Sequence, residues 1–276
     1  MKRTGKTIVR SLKHGILGLY GLFSLFPLLL IVLTSLKKKK DALSNPPTFI
    51  FKPTLENYTG DVFNMDVLHA ILNSLIIALA ATTIAILLGI FCSYALSRLR
   101  YKGKTLTQGV ILSLRLIPPI SLVIPYFIIF SKLDMLDRYP SMILMYLTIC
   151  LPLIVWMMKS FYDETPVELD EAAKIDGCTQ FQTLRHVLLP AIAPGIFASA
   201  ALTFIVMWND FMFALYITGS HTRTLPVEIY NSIGYYALDW GKMSAMAVVA
   251  IIPAILFIAV AQKYIVKGLT MGAVKG

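Results

Sequence analysis

VLHAILNSLIIALAATTIAILLGIFCSYALS, residues 67–97, runs for 31 residues without one Asp, Glu, Lys or Arg. A helix crosses the hydrocarbon core of a bilayer in about 20 apolar residues. This stretch is therefore long enough to span a membrane and to begin outside the lipid. The rest of the chain agrees with it. Of 276 residues, 57% are hydrophobic and 14% are charged, and the mean hydropathy is +0.72. A soluble domain carries about 25% charged residues, and so few charges cannot cover a soluble surface. The composition also excludes disorder and collagen. Cys92, Cys150 and Cys178 are odd in number and scattered, which excludes a disulfide framework and gives no metal-ligand spacing. The sequence predicts an all-α polytopic membrane protein.

Five further stretches qualify as spans: 15–36, 105–131, 139–158, 187–209 and 243–262. The second of these is interrupted by one charge, Arg115. The basic residues ahead of 15–36 look like the n-region of a signal peptide, but the apolar run is too long and no small-residue cleavage site follows. It reads as a retained first helix. Six spans place both termini on one side. With the N terminus inside, fifteen Lys and Arg fall on inner segments and nine on outer loops, which predicts an N-in, C-in topology. The outer run from Lys37 to Lys40 goes against this bias. The net charge of +10 reads as loops facing anionic lipid rather than nucleic acid. The outer loop 37–66 contains Asn45-Pro46-Pro47 and Pro53 and is expected to be turn-rich. Asn57-Tyr58-Thr59 matches a glycosylation sequon, a pattern short enough to arise by chance. The expected organisation has three segments: residues 1–66 with the N-terminal tail, first helix and outer loop, a transmembrane core 67–265, and a C-terminal tail 266–276.

The longest inner loop, 159–189, is too amphipathic to be a bare connector. Thr165-Pro166-Val167-Glu168 reads as a helix start, with Thr165 as cap, Pro166 at the first position and Glu168 closing a capping box. Leu169, Ala172 and Ala173 then share a face. Gly177 suits a C-terminal stop, because glycine accepts a left-handed backbone. Thr179-Gln180-Phe181-Gln182 offers a second capping box, and Pro190 and Pro194 mark the entry to the fifth span. The prediction is helix, glycine turn, helix, lying on the inner face.

Within this loop Glu171-Ala172-Ala173 is followed after three residues by Gly177, and after nine more by Val187, Leu188, Leu189 and Pro190. That spacing resembles the signature of the permease subunits of ABC importers, with Val187 where isoleucine is commoner. Trp208-Asn209-Asp210-Phe211, the segment from Gln262 to Thr270 and the closing Gly272-Ala273-Val274-Lys275-Gly276 resemble the maltose-type branch. The likeness to the shorter, second permease subunit of that branch covers most of the chain. It implies the type I transmembrane domain of ABC importers in a bacterial or archaeal plasma (inner) membrane. It also implies a different second permease subunit as heterodimer partner, two ATPase subunits that use ATP and Mg, and an extracytoplasmic solute-binding protein. Sugars, sugar derivatives and glycerol phosphates are the solutes of this branch. The resemblance assigns ATPase coupling to Glu171, Ala172, Ala173, Asp176, Gly177, Leu189 and Pro190. It also implies that the C-terminal tail reaches between the ATPases.

The chain carries no chemistry of its own to match that of an ATPase. Gly103-Lys104-Thr105 supplies the second half of a P-loop, but Arg98 stands where the first glycine is needed. No Ser/His/Asp or Cys/His set is clustered, and His14, His69, His186 and His221 are scattered, so neither a catalytic centre nor a metal site nor a bound cofactor is expected.

Four residues are candidates for the substrate pathway. Arg115 inside a span either lines the pathway or snorkels to the interface. Pro118, Pro119 and Pro125 beyond it are expected to bend or open the helix. Asn209 and Asp210, late in the fifth span, either gate the pathway or cap the helix. Trp208, Phe211, Phe213 and Tyr216 either stack on sugar rings or form an interfacial belt. Asn73, with Ser74, resembles a family pair for which interhelical hydrogen bonding is sufficient explanation. The alternative function is a secondary transporter driven by an ion gradient. It needs intramembrane acids, for which Asp210 is the one candidate, and it gives no reason for the 159–189 loop.

Overall fold

The computed structural model describes the backbone of residues 2–232 and 239–273, and the side chains of 12–60, 62–232, 239–259 and 262. In chain order the helices are α1 (Lys2–Ser35), α2 (Lys39–Ala42), α3 (Met65–Arg98), α4 (Lys104–Ser113), α5 (Ile120–Lys132), α6 (Tyr139–Glu164) and α7 (Glu168–Ile175). They continue with α8 (Gln180–Thr183), α9 (Leu189–Ala191), α10 (Ala193–Trp208), α11 (Met212–Ile217), α12 (Leu225–Asn231) and α13 (Trp240–Ala273). No strand occurs among the described residues.

Among the described residues, four segments are long and apolar enough to cross a membrane: Leu12–Ser35, Met65–Arg98, Tyr139–Glu164 and Trp240–Ala259. Two more arise only as bent pairs, Lys104–Leu116 with Ile120–Lys132 at 95° and Gln180–Ala191 with Ala193–Trp208 at 73°. Six spans result when each pair counts as one. The bend expected of the third span is present, and the fifth span, read as one apolar stretch, is bent as well. In the third, Ile117 is extended (ψ 121°), as the residue before a proline tends to be, and Pro118-Pro119 separates the two halves. Pro125 sits inside α5 without ending it. In the fifth, the chain breaks at Ile192, between Pro190 and Pro194.

The contacts divide the chain into two compact units, Met1–Leu68 with Ile229–Ile252, and His69–Glu228 with Pro253–Gly276. In the first unit, Asn57 closes the end of α1, its amide donating to the carbonyls of Ser35 (2.8 Å) and Lys37 (2.9 Å). Asn57 is buried with its amide occupied, so the sequon is structural. The same unit accounts for the lysine run at 37–40. Lys37 lies 5.3 Å from the Phe51 ring centroid, Lys38 pairs with Glu56 at 3.5 Å, and Lys39 pairs with Asp239 at 3.5 Å. Three of the four charges thus have local partners.

The second unit is organised on α6, which packs against α3 and α10. Gly89 of α3 meets α6 so closely that Ile154 Cγ2 occupies the place a Cβ would take. Small residues permit such close approach between membrane helices. The ring of Phe161 likewise fills the Cβ position of Gly195 in α10. Ala85, Ile90, Ile154, Met158 and Tyr162 form a buried cluster that also takes in Leu184, Leu188 and Ile192 from beyond α7. The end of the 159–189 loop is therefore built into the helix core.

Candidate functional site

The 159–189 loop folds as helix, turn, helix. Its start differs from the expected capping box. The hydroxyl of Thr165 donates to the carbonyl of Phe161 (2.8 Å) and so closes α6, while α7 begins at Glu168 with no side-chain cap. A threonine between two helices satisfies whichever backbone group lies nearer, and here it is an orphan carbonyl. Glu168, Asp170 and Glu171 occupy the first turn of α7 and Lys174 the last, in accord with the helix dipole. At the far end Gly177 has φ +81°. Its N–H donates to Lys174 (3.1 Å) and that of Cys178 to Ala173 (2.9 Å), a Schellman stop. The expected second capping box is present, with Gln182 N–H on Thr179 Oγ1 (3.3 Å) and Thr179 N–H on Gln182 Oε1 (2.8 Å).

Leu169, Ala172 and Ala173, which share a face by spacing, do not share one environment. The buried positions are Asp170 and Ala173, whereas Leu169 and Ala172 are exposed. The reason is a charge that periodicity counts as polar. Asp170 Oδ2 meets Arg98 Nε at 2.9 Å, with side-chain exposures of 8% and 9%. Arg98, the last residue of α3, also donates from Nη2 to the carbonyl of Thr165 (2.7 Å). One guanidinium thus joins the ends of α3 and α6 to α7. Removing one partner of such a buried pair costs about 3–5 kcal/mol, because the other charge stays buried. Nearby, Lys104 Nζ donates to the carbonyls of Ser97 (2.9 Å) and Leu99 (3.1 Å). The lysine of the half P-loop is therefore a cap on α3. Ser97 donates to Asp163, which also pairs with Lys159.

The opposite side of the loop is open. Glu171, Ala172, Asp176 and Gly177 are exposed, and so are Ile175 (87%), Phe181 (59%) and Val167 (52%). Leu189 and Pro190 lie instead where the loop enters the membrane core, Leu189 packing against the buried cluster. A groove of about 250 Å³ runs beside α7 between Phe161, Pro166, Leu169, Ile192 and Pro194.

The four pathway candidates do not converge. Arg115 is exposed, one turn before the Pro118-Pro119 break. Asn209 is exposed and donates to Ile205 (2.8 Å) at the end of α10. Asp210 accepts from Tyr146 OH (3.1 Å) and from the N–H of Ala214 (3.2 Å), and so caps α11. Asn73 is buried. Its amide donates to the carbonyls of His221 and Arg223, both at 3.0 Å, and its oxygen accepts from Tyr139 (2.6 Å). Ser74 Oγ accepts from the N–H of Leu225 (2.8 Å). The pair thus ties α3 to the loop before α12 rather than bonding only between helices. Of the aromatics, Trp208 and Phe213 are buried and Tyr216 is exposed. The rings of Phe204 and Phe257 stack at 4.1 Å, with Trp208 beside Phe204.

The same loop has a second anchor that the sequence does not announce. Asp137, at φ +57° between α5 and α6, accepts from the N–H groups of Gly219 (2.8 Å), His221 (3.0 Å) and Thr222 (2.8 Å), and from the Thr222 hydroxyl (2.8 Å). A Cβ at Gly219 would meet the carboxylate at 2.6 Å. Burial pushes the Asp137 carboxyl up, but these hydrogen bonds outweigh it and hold the group below the ordinary value. The clamp is then fully effective above pH 3.8 and is lost as pH falls through the depressed folded value. Asp137→Ala is expected to leave three N–H groups without an acceptor, at about 1–3 kcal/mol for each that stays buried. Faster amide exchange across residues 219–222 at neutral pH checks this, and unchanged exchange refutes it.

The residues that sequence reasoning missed, Arg98, Asp170 and Asp137, are all charged groups paired far along the chain. Their one local signal is a charge at a helix end or in a turn. The tail 266–276 is helical to Ala273, but its side chains lie outside the described residues, and so does residue 274 onward.

Residues 85–271 match the family described as the inner membrane component of binding-protein-dependent transport systems. The trehalose transport system permease of Mycobacterium tuberculosis is 40% identical over 240 residues, 86% of either chain. The sulfoquinovosyl glycerol permease of Agrobacterium fabrum is 38% identical over 249 residues, 89% of this chain and 87% of that one. A crystal structure of a bacterial ABC transporter that imports the polysaccharide alginate superposes with a TM-score of 0.79 at 19% identity, covering 95% of this chain and 98% of that one. The fold is that of an ABC importer transmembrane subunit. The family excludes the secondary-transporter alternative and a catalytic role for this chain. With its apolar spans, its glycine-stopped helix α7 and this kinship, the chain belongs to the inner-membrane permease components of binding-protein-dependent ABC transport systems.

Proposed function

We propose that this permease forms half of the translocation pathway for a sugar or a related polyhydroxylated solute. It pairs with a second, different permease subunit. Two ATPase subunits, using ATP and Mg, dock on the inner face, and an extracytoplasmic binding protein delivers the solute. The termini face the inside, in line with the lysine and arginine bias. The observation that carries the coupling assignment is the two-sidedness of α7. One face is fixed by Asp170 and Ala173, and the other presents Glu171, Ala172 and Ile175 to solvent. Exposed apolar residues beside charges on an inner loop suit a protein partner. The solute class is supported by the relatives named for trehalose and sulfoquinovosyl glycerol. Along the pathway, Arg115 and Asn209 are free to meet solute, while Asn73 and Asp210 hold the surrounding backbone. Purification in mild detergent is expected to bring down one different permease and two ATPase copies, with ATP-dependent uptake on reconstitution. A lone homodimer driven by an ion gradient would refute the proposal.

A further inference from the structure

We infer that Arg98 and Asp170 are positioning residues for coupling: they form the joint through which movement of α7 is passed to α3. The inference rests on the proposed docking of an ATPase at α7.

Helix α7 has eight residues, and two of them, Asp170 and Ala173, are buried. Ala173 contributes one methyl group, and the ion pair is the one salt bridge of the helix among the described residues. The attachment is strong because both partners are nine-tenths buried, where opposite charges are weakly screened. The guanidinium has two contacts: it lies at ion-pair distance from Asp170 at Nε, and it donates a hydrogen bond from Nη2 to the Thr165 carbonyl, so from the end of α3 it holds α7 by charge and the end of α6 by a hydrogen bond. Lysine, a point charge on a flexible stem, is not suited to keep both contacts.

Helix α3 is suited to receive that movement. It runs unbroken from Met65 to Arg98 with no proline. Its inner end is fixed by Lys104 on the carbonyls of Ser97 and Leu99. Its middle is seated on α6 at Gly89, and near its other end Asn73 and Ser74 hold the 221–225 backbone. A displacement of α7 at Arg98 thus has a stiff element to act on and a loop at the far end to reach. Thr165 is extended at the entry to α7 and Gly177 is left-handed at its exit.

The test is the number of solute molecules transported per ATP hydrolysed by the complete complex in vesicles. Arg98→Gln, Asp170→Asn and Arg98→Lys are compared with wild type, together with the amount of ATPase that co-purifies. The ATPase is expected to remain bound in all three. The transport-to-hydrolysis ratio is expected to fall about tenfold in Arg98→Gln and Asp170→Asn, within the range of coupling between sites. Arg98→Lys, which keeps the charge but not the fork, is expected to fall less. Loss of transport in proportion to loss of assembled complex, at an unchanged ratio, would reduce the pair to a folding element and overturn the inference. Loss of ATPase binding in these variants would overturn it as well, by making the pair a component of the docking surface. Failure of the docking proposal itself would appear elsewhere, as full uptake and full ATPase association in Glu171→Lys.

Discussion

Glu171→Lys abolishes solute uptake while the chain still inserts in the membrane: that is the expected result for the residue at the centre of the exposed α7 face. Glu171 makes no ion pair within the described residues and sits in the first turn of α7. A charge in that place with no internal role is available to a basic residue of a docked ATPase. Disrupting a buried interfacial charge pair costs about 2–5 kcal/mol, mostly as faster dissociation. At about 1.4 kcal/mol per tenfold, ATPase association falls by more than tenfold and uptake falls with it. Gly177→Asp is expected to act in the same direction by a different route. Among the described residues, apart from its chain neighbours, nothing lies within 4 Å of the site of a Cβ on Gly177, so the substitution meets no clash there. Its effects come from a backbone at φ +81° and from whatever docks there. A non-glycine residue in the left-handed region costs roughly 1–2 kcal/mol. Gly177→Ala separates the two contributions, since it keeps the strain and omits the bulk and charge. Co-purification of the ATPase and uptake in reconstituted vesicles are the measurements. Full uptake and full association in both Glu171→Lys and Gly177→Asp would return the loop to a plain interfacial helix.

Gly89→Val is the second large effect, and it acts on the fold. The place of its Cβ is already occupied by Ile154, inside the cluster that holds Met158, Tyr162, Leu188 and Ile192. The α3–α6 contact must open to admit the new atoms, and overpacking of this kind costs about 1–3 kcal/mol, occasionally more. The thermal midpoint in detergent and the yield of monodisperse protein are expected to drop. Gly109→Val, where a Cβ meets nothing within 4 Å, serves as the control and is expected to leave both unchanged. Equal behaviour of the two variants would mean that α3 and α6 do not pack as described. Because Leu184 and Leu188 share the cluster, uptake is expected to suffer in Gly89→Val even where the protein survives purification.

Much of this protein is legible along the chain. The apolar runs fix the helical class and the four unbroken spans among the described residues, because a bilayer demands one simple thing of a segment: length without charge. The glycine at 177 and the capping box at 179–182 are local too, since φ and the nearest N–H groups depend on a few neighbouring residues. Kinship was readable from Glu171-Ala172-Ala173, Gly177 and Leu189-Pro190 for the same reason, as fixed spacing along one loop. What the sequence does not determine is which polar groups find one another. Thr165 turned out to close α6 rather than open α7, because both ends lay within reach of its hydroxyl. Asp170 finds its partner outside the local sequence: Arg98 reaches it from the end of α3, and that pairing decides which side of α7 is buried. Asn73, Ser74 and Asp137 are likewise read as span or turn residues until tertiary structure places one loop, 219–225, against all three. The cause is common to these cases. Burial of apolar surface follows composition and period, whereas a buried charge or amide is defined by its partner, and in this fold that partner comes from a distant region of the chain.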